Sequence, residues 1–226
     1  MTKSVPRKSP VSKRMRKPAP ILKLAVAGAM GRMGHSILSS ASQDRSWNVV
    51  AGWERRGHAD LGKDLGLAAG LAALGLPLSQ GPDVERADVV VDFSAPAATM
   101  DTLAAVLRSR RHPSLVIGTT GLDTAQVARI KAASRRLRIV LASNYSVGMN
   151  LLWKALEFVA CTTGEAYDVE VIETHHHDKR DSPSGTAMTT AEVLARALGR
   201  ELPVWARFGR PKGNIGPRDP REIGLH

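Results

Sequence analysis

The stretch ILKLAVAGAMGRMG, residues 21–34, joins a short aliphatic run to three glycines spaced G-x-x-G-x-x-G. Residues 21–27 read as a buried strand and 32–41 as an amphipathic helix, so the segment Gly28, Ala29, Met30, Gly31, Arg32, Met33 lies directly after the strand and opens the helix. In that position a glycine-rich turn lets main-chain N–H groups and the helix dipole meet a pyrophosphate. The spacing departs from the commoner G-x-G-x-x-G, and tight turns often use glycine, so its meaning depends on the residues downstream. Glu54 ends a second strand, 47–53, about 20 residues past Gly34, where a carboxylate accepts hydrogen bonds from an adenosine ribose. Arg55 and Arg56 come next, and a guanidinium there can hold a 2′-phosphate, which puts NADPH beside NADH as the cofactor.

Outward from this turn, β-branched runs alternate with helix-length amphipathic stretches. Strands are expected at 87–93, 115–117 and 138–142, helices at 96–109 and 124–137, and a Gly- and Leu-rich insert at 55–82 gives no periodic signal. Strands buried on both faces and separated by helices pair in parallel, which makes this a doubly wound α/β domain. After Asn144 the pattern changes to a long helix, 147–161, an alternating strand, 166–173, a His-rich turn and a helix, 185–198; beyond Gly199 the chain reads as loop. A boundary near Tyr145 divides a dinucleotide-binding domain, 21–145, from an α+β substrate and oligomerisation domain, 146–226.

With 226 residues and 43% hydrophobic side chains the chain can bury a proper core. The single cysteine excludes an internal disulfide framework and favours a reducing compartment. No apolar run reaches the length of a membrane span. The net charge of +11 would suggest nucleic acid, but seven of the 32 Lys and Arg sit in the first twenty residues, a stretch with no acid and four prolines. Residues 1–20 are therefore expected to be a disordered basic tail outside the fold, with neither nucleic acid nor membrane as a partner.

Three further loops lie at carboxyl ends of the expected parallel strands, the edge where such sheets bind ligands. They are Asp92-Phe93-Ser94, Gly118-Thr119-Thr120-Gly121 and Ala142-Ser143-Asn144-Tyr145-Ser146. The densest segment is ETHHHDKRDSPSGT, residues 173–186. Successive residues of an extended chain alternate faces, so His175, His176 and His177 do not converge readily on one metal ion. The preferred reading is an anionic-substrate site: imidazoles and an ammonium supply protons and charge, and Ser184, Gly185 and Thr186 present N–H groups to a carboxylate. A solvated basic loop is the other reading.

The motifs GAMGRMG, DFS, GTTG, SNYSVGMN and ETHHHDKRDSPSGTA, in this order, resemble those of the 4-hydroxy-tetrahydrodipicolinate (dihydrodipicolinate) reductase family, from about Ile21 to the end. The resemblance implies NAD(P)H-dependent reduction of a cyclic dicarboxylate in diaminopimelate and lysine biosynthesis, by a cytoplasmic homotetramer. It implies that Gly28 to Met33 wrap the pyrophosphate, that Glu54 binds the ribose, and that Arg55 serves NADP. Gly118, Thr119 and Thr120, with Ala142, Ser143, Asn144 and Tyr145, would border the nicotinamide. His175 would donate or accept a proton, Lys179 would be the second donor, His176 a substrate contact, and Gly185 and Thr186 the holders of a substrate carboxylate. His177 and Asp178 fill variable positions of the motif. The resemblance also implies several tens of family residues beyond the match to Ile223 to His226, so the chain is expected to be incomplete, and a catalytically inactive remnant keeping the nucleotide fold is the alternative. A Cys-dependent dehydrogenase of the same fold would need a nucleophile, but Cys161 sits in an apolar helical run and is expected in the core.

Overall fold

The computed structural model describes residues 20–226 apart from Asp178, Arg180 and Asp181. The basic stretch 1–19, and with it the expectation of a disordered tail, lies outside the described residues. Strand β1 (Leu22–Ala27) enters the Gly-rich turn and continues as α1 (Arg32–Gln43); β2 (Trp47–Glu54) pairs with β1 in parallel. Then come α2 (Leu65–Ala68), β3 (Ser79–Gln80), β4 (Val89–Asp92), α3 (Pro96–Arg108), β5 (Ser114–Ile117), α4 (Thr124–Ala133) and β6 (Ile139–Leu141). The six strands form one sheet in the order β3-β2-β1-β4-β5-β6, and every neighbour pairing is parallel. This is the doubly wound arrangement, with the strand order reversing between β1 and β4.

Alternation along β1 builds both faces at once. Ala25 and Ala27 pack with Val90, Leu115 and Ile117 against Met100, Leu103 and Val106 of α3 and Ile130 of α4. Leu24 and Val26 point the other way, onto Leu38 of α1 and onto Leu65 and Leu78 of the insert. The insert thus covers its part of the sheet without a full helix. Its organiser is Asp64, whose carboxylate accepts the N–H groups of Leu67, Leu74 and Gly75 at 2.7 to 3.1 Å. Those hydrogen bonds hold its carboxyl below the usual range.

The second unit holds α5 (Val147–Thr163), β7 (Val169–Val171), α6 (Gly185–Ala197), α7 (Leu202–Trp205), β8 (Ala206–Phe208) and β9 (Ile223–Leu225). Its sheet runs β7-β9-β8, all parallel, over a small core of Ala191, Ala195, Leu202, Ile223 and Leu225. The expectation of loop beyond Gly199 is corrected here: the last residues form the central, fully buried strand. Three-residue strands are too short to show a period, and this sheet relies on polar ties, with Arg218 pairing with Glu170 and donating to the Val169 and Glu222 carbonyls. The expected strand 166–173 shrinks to β7 for the same reason, with a 3₁₀ turn before it. Cys161 is also corrected, because it is exposed. Only Trp153 and Ala160 of α5 are buried, so the helix is more apolar than the surface it covers, and Val147, Leu151 and Phe158 are exposed with Cys161. Among the described residues no helix is long and apolar enough to cross a membrane.

The Gly-rich turn sets a tight packing constraint. Gly28 has φ +67°, and a Cβ on Gly34 would lie 2.2 Å from the Gly28 carbonyl oxygen. Gly34→Ala is expected to cost about 1–3 kcal/mol, the usual scale of overpacking against backbone. Gly148→Ala, whose Cβ meets nothing nearer than Ser146 Oγ at 3.7 Å, is expected to be neutral or stabilising by up to ~1 kcal/mol. Urea midpoints of the two variants check this contrast, and equal midpoints would contradict it.

Candidate active site

Parallel pairing brings the ends of β1, β2, β4, β5 and β6 to one edge, and the expected loops meet there. The Gly28 and Ala29 N–H groups both donate to the Trp53 carbonyl, fastening the Gly-rich turn to the end of β2. Glu54 tightens that junction, its carboxylate accepting the N–H of Met30 at 3.1 Å and of Arg55 at 3.0 Å. A carboxylate has roughly four acceptor positions, so two remain for ribose hydroxyls. No side chain caps α1, and the helix itself offers no partner to its first N–H groups at Arg32 and Met33, which suits them to an anion. Ala29 is fully buried, so its side chain serves the core and only its backbone can meet a ligand. A cleft of about 230 Å³ beside the turn is lined by Glu54, Arg55, Arg56, Gln80, Ser94 and Asp101.

The neighbouring turns are joined by a buried polar network. Asp92 is fully buried at the end of β4, and its Oδ1 accepts the Ser94 N–H at 3.0 Å, the Ser94 hydroxyl at 2.5 Å and the Thr119 hydroxyl at 3.2 Å. Thr99 donates to the same Thr119 oxygen at 2.8 Å. The Thr119 side chain is thereby used inside the protein, which leaves its backbone for any ligand. The Phe93 ring lies against Gly118 and tilts towards Tyr145, with ring centroids 5.6 Å apart. Tyr145 in turn donates to the Ile117 and Val140 carbonyls, bridging the ends of β5 and β6. Burial raises its phenol above the ordinary value, and main-chain hydrogen bonds at Ala142 and Ile117 oppose that.

The second unit docks its α6 N-terminus on this edge. Gly185 faces Thr120 and Ser143, Ser143 shares a 2.8 Å hydrogen bond with Thr189, and Asn144 donates to Thr186 at 3.3 Å. Trp153 Nε1 donates to Thr190 at 2.9 Å, tying α5 to α6. Ser184 caps α6 by accepting the Ala187 N–H at 3.0 Å, and its carbonyl takes the Met188 N–H. The helix itself offers no partner to the N–H groups of Gly185 and Thr186, which suits them to a substrate carboxylate.

His175, His176 and Lys179 lie on the loop between β7 and α6, where the Lys179 N–H donates to the His176 carbonyl at 3.2 Å. Among the described residues no three His, Cys, Asp or Glu side chains gather as a metal site. Glu173, to which sequence reasoning assigns no role, is the side chain that holds this loop. It contacts His175 Nε2 at 2.8 Å through Oε2 and accepts the Ser184 N–H at 2.7 Å through Oε1. The signal is present in the period of an extended chain, since positions 173 and 175 share a face. Partial burial pushes the Glu173 carboxyl up, but hydrogen bonds from Ser184 and His175 outweigh it and hold the group down at about 2.

Two family models match the chain: "Dihydrodipicolinate reductase, N-terminus" over residues 22–145 and "Dihydrodipicolinate reductase, C-terminus" over residues 148–226. A protein of Paraburkholderia phymatum named 4-hydroxy-tetrahydrodipicolinate reductase is 44% identical over 206 residues, covering 90% of this chain and 76% of its own length. One of the same name from Neisseria meningitidis serogroup A is 42% identical, again over 90% of this chain and 75% of its own. A solved dihydrodipicolinate reductase from Paenisporosarcina sp. TG-14, with dipicolinate bound, superposes with a TM-score of 0.62 at 25% identity, covering 91% of this chain and 77% of that one.

The depressed Glu173 carboxyl has a consequence for acid stability. A group lowered from 4.5 to about 2 on folding contributes stability that is fully present above pH 4.5 and fades as pH falls towards 2. Glu173→Gln is therefore expected to remove part of the pH dependence of the unfolding free energy in that window and to leave its slope near neutrality unchanged. Urea titrations at a series of acidic pH values measure it; an identical slope in both proteins would contradict the assignment.

Proposed function

We infer the chemistry from one premise: the chain belongs to the dihydrodipicolinate reductase family. It is a pyridine-nucleotide-dependent 4-hydroxy-tetrahydrodipicolinate reductase of lysine and diaminopimelate biosynthesis. Nothing in the described residues favours the inactive remnant, since the N-terminal and C-terminal family models both match and the expected site loops meet at one edge. The observation that carries the mechanism is the docking of α6, through Gly185, onto Thr120 and Ser143 of the sheet edge.

The residues at that edge fit a dinucleotide, because Gly28 and Gly34 let the turn pack tightly enough to present its backbone and the uncapped start of α1 supplies N–H donors. When bound, the reduced nicotinamide supplies the hydride. The Gly28 to Met33 backbone holds the pyrophosphate, Glu54 the ribose, and Arg55 a 2′-phosphate when there is one, so that both NADH and NADPH are accepted. Gly118, the Thr119 backbone and Thr120, with the Ala142 to Tyr145 stretch, border the ring. Gly185 and Thr186 orient a substrate carboxylate. His175 delivers the proton that completes addition across the double bond formed by loss of water, Lys179 is the second proton donor, and His176 contacts the substrate. In this reading residues 21–145 serve the nucleotide and 146–226 the substrate.

A homotetramer in the cytoplasm completes the proposal. The exposed Val147, Leu151, Phe158, Ile172 and Phe208 support self-association, because so much apolar surface is costly to leave on water.

His175→Ala and Lys179→Ala are each expected to lower turnover by roughly 10²–10⁴-fold, the scale of general acid catalysis, with little change in folding. NADPH oxidation with freshly generated substrate measures it, and near-normal rates in both variants would remove the acid roles. Glu54→Ala is expected to weaken both nucleotides, whereas Arg55→Ala weakens NADPH selectively, because only that cofactor offers a phosphate to the guanidinium. Fluorescence titration with each nucleotide checks the pair, and equal loss for both in the Arg55 variant would make the arginine a bystander.

A further inference from the structure

We propose that Glu173 is the positioning residue of the proton donor: its carboxylate takes the Nε2–H of His175, fixing the tautomer that turns Nδ1 to the substrate, and takes the Ser184 N–H, tying that imidazole to the carboxylate-binding end of α6. The proposal rests on the reading of His175 as a proton donor.

Four observations carry it. Glu173 is anchored through its own backbone, its N–H donating to the His226 carbonyl at 2.9 Å just beyond β9, while the His226 N–H returns to Val171. The carboxylate is therefore held in place by the sheet. Its two oxygens have different partners, His175 at 2.8 Å and Ser184 at 2.7 Å. The second of these spans eleven residues, so one side chain closes the loop that carries His175, His176 and Lys179 and fastens its far end to the start of α6. Finally, the side chain of Glu173 is only 18% exposed, against 38% for His175, so the pair is partly shielded and better ordered than an ion pair between two solvated surface chains.

The tautomer is set by hydrogen-bond chemistry. An ionised carboxylate can only accept, so the ring nitrogen facing it must carry the hydrogen. Depression of the carboxyl to about 2 keeps Glu173 ionised throughout the neutral range. The proton given to the substrate then leaves Nδ1 of the doubly protonated ring, the imidazolium: that N–H bond breaks, its electron pair stays on the ring, and a new bond forms to the substrate atom that becomes electron-rich when the substrate receives hydride. The Nε2–H neutral imidazole that remains is the form that the carboxylate stabilises.

Glu173→Gln separates positioning from packing. The glutamine has the same shape, and its amide oxygen can still accept from Ser184, but its NH₂ group donates to Nε2 and drives the ring hydrogen to Nδ1. The expected result is a fall in kcat of at least about 10²-fold with KM changed little, because the doubly protonated ring would set its Nε2–H against an NH₂ donor and the neutral Nδ1–H ring could give its hydrogen only by becoming an anion. ¹⁵N spectra of histidine-labelled protein at about pH 9, where an ordinary imidazole is neutral, are expected to show the Nε2–H form for His175 in the parent chain and the Nδ1–H form in the variant. The resonance is assigned by its loss in His175→Ala. An Nδ1–H signal in the parent overturns the proposal even if the variant does not fold. Turnover lost in His175→Ala but kept in Glu173→Gln overturns the positioning role alone, while turnover kept in His175→Ala overturns the proton-donor reading and the proposal with it.

Discussion

Parallel pairing is the constraint on which everything else in this molecule depends. Because all six strands of the large sheet run the same way, each βα turn emerges at one edge, and residues far apart in sequence meet there without any loop having to reach across. The cost falls on the turns, which must pack closely while keeping their own polar groups satisfied. Asp92 illustrates the balance. Its Oδ2 is buried and has no partner among the described residues, a loss on the order of 1–3 kcal/mol for such a group. Three hydrogen bonds to Oδ1, from Ser94 and Thr119, offset that loss and at the same time fasten the β4 turn to the β5 turn.

The features legible in the sequence are those that such an edge demands of its residues. The glycines of the first turn, the acid at the end of β2 and the short aliphatic strands are imposed by sterics and burial, so they stand out in a single chain. The insert, 55–82, is illegible because a side chain holds it: Asp64 gathers three main-chain N–H groups, and no period in the neighbouring residues records that. Strands β8 and β9 escape a sequence reading because three residues cannot display alternation, and because their neighbours on the chain are prolines and arginines whose purpose appears only when Arg218 reaches Glu170 and the Val169 carbonyl. Cys161 is misplaced by the assumption that an apolar helix buries all its apolar faces. The motif around the histidines marks the site as a dense polar segment, yet Glu173 does not stand out in it because its partners are a ring two residues away and an N–H eleven residues away.

The two units meet through small residues and short polar side chains. Gly185 rests on Thr120 and Ser143, while Asn144 and Thr186, and Ser143 and Thr189, are joined by hydrogen bonds. A junction of this kind brings backbone close to backbone and leaves N–H groups available, which a junction of large apolar side chains would not. It therefore places the start of α6 beside the nucleotide-binding edge with its first two donors still unused by the helix.

This geometry divides the two halves of a reduction between different kinds of structure. The hydride must arrive along a fixed line, and the groups proposed to border its source belong to strand ends and turns locked by the sheet. The groups proposed to give the proton, His175 and Lys179, sit instead on a polar loop that no hydrophobic core could hold in place. Such a loop needs a fixed point of its own. Glu173 provides one because its backbone is hydrogen-bonded just beyond the β7–β9 pairing while its carboxylate reaches both the histidine and the helix start, so the position of His175 is tied to the same pairing that builds the second unit.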